Sequence, residues 1–112
     1  MTLKEYQEGT CSMYEKYPLE FGSFYTSLAI VKSVGILSDQ LLSVLQNEEA
    51  TITKEDKAIF KHILSEILIN TSVTANNLGI DLEDIGEYSI SKLITDRKQE
   101  EIKKGGIFGK RL

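Results

Sequence analysis

The feature that most constrains this chain is the apolar recurrence between Phe24 and Leu45. Phe24, Leu28, Val31, Gly35, Ser38, Leu42 and Leu45 follow one another at steps of three and four, which puts them on one side of a helix. Ala29, Ile30, Val34, Ile36, Leu37 and Leu41 widen that side, so a helix over about 21–45 is expected to be buried on more than one side. Gly35 inside it costs roughly 1 kcal/mol against alanine, and the close approach of another helix is a reason to keep it. A core element this long, with no alternating run bounded by hairpin turns and a single proline, makes the chain all-α.

Three further helices follow from their start and stop signals. Thr2-Leu3-Lys4-Glu5 is a capping box that opens a first helix at Thr2, and Tyr17-Pro18 ends it. Thr53-Lys54-Glu55-Asp56 caps a third helix that runs to Leu78, with Gly79 as its left-handed stop. Asp81-Leu82-Glu83-Asp84 caps a fourth, continuing to about Lys104, where Lys103 and Lys104 suit the negative helix end. The expectation is one four-helix domain over residues 1–104 and a basic tail over 105–112, with antiparallel neighbours joined by short links.

Charge and composition narrow the function classes. The net charge is −4, but residues 1–91 are acidic and residues 92–112 carry seven Lys/Arg against three Asp/Glu. An acidic body disfavours nucleic acid, whereas the basic end can attract phosphate. A lone cysteine, Cys11, excludes a disulfide framework and a cysteine-rich zinc site. Lacking an uninterrupted apolar run of about 18 residues and a leader-like start, the chain is expected in the cytoplasm with no membrane partner.

The third helix carries the chemistry-bearing pattern. His62, Glu66, Asn70, Thr74 and Asn77 form a polar stripe at spacings of four and three, either a wet surface or the wall of a cleft against helix 2. His62 and Glu66 alone are too few for a catalytic zinc site, and no phosphate loop or dinucleotide fingerprint is present.

Ala75-Asn76-Asn77-Leu78-Gly79-Ile80-Asp81-Leu82-Glu83-Asp84-Ile85 resembles the end of the third helix and the start of the fourth in the MazG-like family. The opening Met1 to Gln7, Tyr17-Pro18, and Ser91-Lys92-Leu93 followed by Asp96-Arg97 resemble short members of bacterial and phage origin. These are all-α nucleoside-triphosphate pyrophosphohydrolases that act as dimers or tetramers. The resemblance therefore implies a four-helix bundle, a homo-oligomer and a nucleotide ligand. In such enzymes paired carboxylates on two helices hold magnesium, water attacks the α-phosphorus, and pyrophosphate leaves.

The resemblance fails at those carboxylates. Glu-Val-Gly-Glu of the family falls on Ser33-Val34-Gly35-Ile36, and its Glu-Leu-Ser/Gly-Asp falls on Ile63-Leu64-Ser65-Glu66, so only Glu66 stays acidic. The expectation is a pseudoenzyme without a metal, binding a nucleotide or phosphate ligand through Lys32, Glu66, Asn70, Lys92 and Arg97. Lys32 and Glu66 are expected to pair where the metal would sit. Two alternatives stand beside it. One is an active enzyme with magnesium in a rearranged site using Glu66, Asp39 and a neighbouring subunit. The other is a structural or protein-binding subunit whose cleft Ile36 and Ile63 close.

Overall fold

The computed structural model describes residues 1–13 and 19–104. They form α1 (Leu3–Met13), α2 (Leu19–Leu45), α3 (Lys54–Asn77) and α4 (Leu82–Lys103), with no strand among the described residues. The Tyr17-Pro18 stop and the basic tail from residue 105 lie outside them.

Local signals set most helix ends. Thr2 and Glu5 form the expected capping box: the Glu5 amide donates to Thr2 Oγ1 at 3.1 Å and the Thr2 amide to Glu5 Oε1 at 3.1 Å. Thr53 and Asp56 repeat it at the start of α3, at 3.0 and 3.1 Å. At the other end of α3, Gly79 takes φ 72°, Ile80 N–H donates to the Ala75 carbonyl and Gly79 N–H to that of Asn76, which is a Schellman closure.

The expected cap of α4 is corrected. Asp81 makes no side-chain capping bond. The orphan amide of Leu82 donates instead to Gln7 Oε1 of α1 at 2.9 Å, and Gln7 Nε2 donates to the Ile80 carbonyl at 2.9 Å. One buried amide thus holds both sides of the α3–α4 turn. A Thr10–Ser72 hydroxyl contact at 2.8 Å, on a fully buried Ser72, ties the same α1 to α3.

Helices α2 and α3 lie antiparallel. The hydroxyls of Thr26 and Thr74 are hydrogen-bonded near one end, and Gln40 Nε2 donates to Asp56 Oδ1 at 3.3 Å near the other. Helix α4 docks only by its start: Leu82 is buried, Gly86 leaves room for Leu3 Cδ1, 2.8 Å from where a β-carbon would sit, and every residue from Glu87 to Lys104 is exposed.

The core is thin, consisting of Val44, Ile63, Val73, Ala75 and Leu82 among the described apolar residues. The expected burial of α2 is reversed. Phe24, Leu28, Val31, Leu42 and Leu45, the stripe expected to face inward, are all exposed, and Val34, Ile36 and Leu41 with them. The side turned to α3 carries Thr26, Ala29, Ser33, Gln40 and Val44. Small and hydroxyl side chains satisfy one another across that contact and let the helices approach. By length and composition α2, from Phe24 to Leu45, is also apolar enough to cross a membrane, although Lys32 and Asp39 interrupt it.

Candidate functional site

The polar stripe of α3 turns inward as it descends. His62 is exposed, Glu66 and Thr74 are half-buried and Asn70 is buried. From Glu66 onward the stripe faces α2 because α2 presents small residues there, leaving a cleft of about 210 Å³. Glu66, Asn70 and Asn77 form one wall and Tyr25 and Thr26 the other, with Val73 between them. Gly22 and Ala29 supply width by having almost no side chain. Of the two readings of the stripe, the cleft wall holds for Glu66, Asn70 and Asn77, and the wet surface holds for His62.

The wall is braced from behind. Asn70 Nδ2 donates to the Glu66 carbonyl at 2.8 Å, and Thr74 Oγ1 to the Asn70 carbonyl at 2.7 Å. These bonds to the preceding turn fix both side chains and spend one donor of the Asn70 amide. Glu66 Oε1 lies 4.0 Å from His62 Nε2 along the helix, with both side chains substantially exposed, so water screens the pair.

The five residues expected to share a site do not share one. Glu66 and Asn70 line the cleft. Lys32 is exposed and makes no ion pair with Glu66; among the described residues the ion pairs are His62–Glu66 and Arg97–Glu101. Lys92 is exposed on α4. Arg97 lies 3.9 Å from Glu101 on the same helix, in a separate groove with Asp96, Glu100 and Lys104. The cause is the path of α4, which leaves the bundle after its first turn and carries its cations away from α3.

A magnesium ion does not fit the residues present. Among the described residues Glu66 is the one carboxylate of the cleft, and no three His, Cys, Asp or Glu side chains gather where one ion could hold them. The positions that replace the family's acids also diverge, with Ile63 buried and Ile36 on the exposed side of α2.

Two site residues had little sequence signal. Tyr25 and Thr26 fall between Phe24 and Leu28 of the apolar recurrence and off its stripe. Their place in the cleft depends on how α2 is rotated against α3, and the all-round apolarity of α2 hides that rotation.

The cleft offers one carboxylate acceptor, two amides with both donors and acceptors, and a phenol. Such a set reads the edge of a neutral ring or binds a donor-rich group. Among the described residues it holds no cation to compensate a phosphate inside. Comparison with protein-family models, with curated proteins and with solved structures finds no match.

Proposed function

We propose that this chain is a MazG-like, non-hydrolysing nucleotide-binding protein that takes its ligand base-first into the α2–α3 cleft. The observation that carries the reading is the convergence of Glu66, Asn70 and Asn77 on one open cleft beside Tyr25. The size agrees with a ring and not with a whole nucleotide, since about 210 Å³ falls below the roughly 300–1,000 Å³ of clefts that enclose drug-sized ligands. A triphosphate therefore extends into solvent, where a metal-free protein leaves it intact.

The test is a nucleoside-triphosphate panel followed by ³¹P and proton NMR with magnesium present. Base protons that shift while pyrophosphate stays absent support the reading. Glu66→Gln should weaken binding about tenfold, the order expected for losing a charged acceptor. Pyrophosphate release that Glu66→Gln abolishes replaces the reading with an active enzyme. The exposed apolar sides of α2 and α4 favour the second reading, a structural subunit. If no nucleotide shifts any signal, that reading takes its place.

A further inference from the structure

The apolar stripe that α2 turns outward repeats every seven residues. Leu28, Gly35 and Leu42 hold one position of the repeat, and Phe24, Val31, Ser38 and Leu45 the other. Over three repeats this is the seam of a coiled coil, about 31 Å long at 1.5 Å per residue. It lies on the side of α2 opposite Thr26, Ser33 and Gln40, and Leu28, Val31, Leu42 and Leu45 are each more than half exposed.

The amount of uncovered surface shows that more than one helix side is at stake. The accessible surface is 9152 Å², against about 6,200 Å² for a compact monomer of this mass. The radius of gyration is 18.9 Å, against about 13 Å. The surplus is several times the roughly 800 Å² that each partner of a standard interface covers.

Charge and side-chain size along the seam identify the occupant. Seam-flanking positions on one side hold Lys32 and Asp39, and on the other Val34 and Leu41. When two such helices run antiparallel, like flanks meet. Lys32 then faces the partner's Asp39, Asp39 faces the partner's Lys32, and Val34 faces the partner's Leu41. In the same register Leu28 meets the partner's Leu45 and Val31 meets the partner's Leu42. Gly35 meets the partner's Ser38, which puts the smallest layers beside the two-fold axis. A parallel pairing would instead set Lys32 and Asp39 against Ser27 and Val34. Gly35 has nothing within 4 Å of where its β-carbon would lie, so the single chain gives no packing reason for it. A bilayer would have to take up both charges at mid-helix, whereas a second copy neutralises them.

We propose that the outward seam of α2 is the docking surface for a second copy of this chain, antiparallel, with reciprocal Lys32–Asp39 pairs and a Gly35–Ser38 waist at the two-fold axis. The pairing goes beyond the ligand reading and leaves the α2–α3 cleft open, because that cleft uses the other side of α2.

Sedimentation of the full chain tests it. The chain is expected to self-associate at micromolar concentration. Lys32→Asp and Asp39→Lys should each raise the dissociation constant about tenfold, by turning two attractions into two repulsions, and the double variant should restore it. Both residues are exposed, and circular dichroism checks that the variants keep their helices. In a Cys11→Ser background, Val31→Cys mixed with Leu42→Cys should give a disulfide-linked pair, and Val31→Cys alone should not. The proposal falls if the chain is monomeric, if the single reversals leave association unchanged, or if Val31→Cys links to itself as readily. It falls equally if a monomer is recovered bound to phospholipid vesicles.

Discussion

The two sides of α2 invert the usual arrangement of a helix in a folded chain. The side against α3 carries Thr26, Ala29, Ser33 and Gln40, with Val44 as its one buried large apolar residue among the described residues. The side against solvent carries Phe24, Leu28, Val31, Leu42 and Leu45. Hydroxyls and an amide can serve an intramolecular contact because partners on α3 meet them, Thr74 for Thr26 and Asp56 for Gln40. Large aliphatic groups have no such local solution and gain only by leaving water. The contrast separates two jobs: the inner side orients the helix and leaves space for a cleft, and the outer side holds the larger reserve of hydrophobic energy. That reserve is not drawn on by the single chain.

The largest effect is expected where that reserve is removed. Leu42→Asp should abolish self-association at micromolar concentration and make the melting temperature independent of protein concentration. Burying two unpaired carboxylates in the seam costs far more than the helix propensity changes. An unchanged sedimentation coefficient for Leu42→Asp would remove the distinction between the two sides.

Next in size is Gln7→Ala, which tests the tied end of the molecule against the open face. It strands the Leu82 amide and the Ile80 carbonyl, each at about 1–3 kcal/mol if left without a partner. A loss of roughly 2–4 kcal/mol in denaturant unfolding is expected, with α4 detaching first in hydrogen exchange. A loss below about 0.5 kcal/mol would mean that water replaces the side chain at both atoms.

How far the sequence foretold this arrangement depends on how local each signal is. The Thr2–Glu5 and Thr53–Asp56 boxes were readable because both partners lie within one turn. So were the four helices and the polar stripe of α3, which need only the helical period. Gln7 was not readable, because it acts on a turn more than seventy residues away. The orientation of α2 was hidden for a different reason: apolar residues on almost every side satisfy several rotations equally well. That rotation decided one residue of the expected site, Lys32, and the path of α4 decided two more. Glu66 and Asn70 reached the cleft, while Lys32 went to the outer side and Lys92 and Arg97 left with α4.

A smaller effect tests the inner contact by pH. Asp56 is held below the usual carboxylate range by hydrogen bonds, first from the Thr53 backbone, then from the Thr53 side chain, with Gln40 adding the bond from α2. The unfolded chain therefore takes up this proton before the folded one does. The resulting stability is present above about pH 4 and is lost as pH falls through the depressed value. Asp56→Asn should flatten the acid limb of the stability curve, and Gln40→Leu should flatten it less. If neither changes the slope below pH 5, the bond from α2 does not set the register of the inner side.

The smallest effect lies in the connection that sets which side of α2 meets α3. Ala50 has φ 49°, a left-handed conformation that costs an L-residue with a β-carbon about 1–2 kcal/mol. Its amide is nonetheless committed to the Asn47 carbonyl at 3.1 Å, closing a turn directly after α2. The turn holds the strained residue because the Thr53 box begins α3 three residues later, leaving little chain in which to redirect the helix. Glycine removes the clash but adds freedom to the unfolded chain, so Ala50→Gly should stabilise by a net of about 0.5–1 kcal/mol. Thermal unfolding of Ala50→Gly measures the gain. Self-association should stay unchanged, because the substitution relieves the turn without rotating α2. A destabilised variant, or one with altered association, would show that the strain itself selects the inner side.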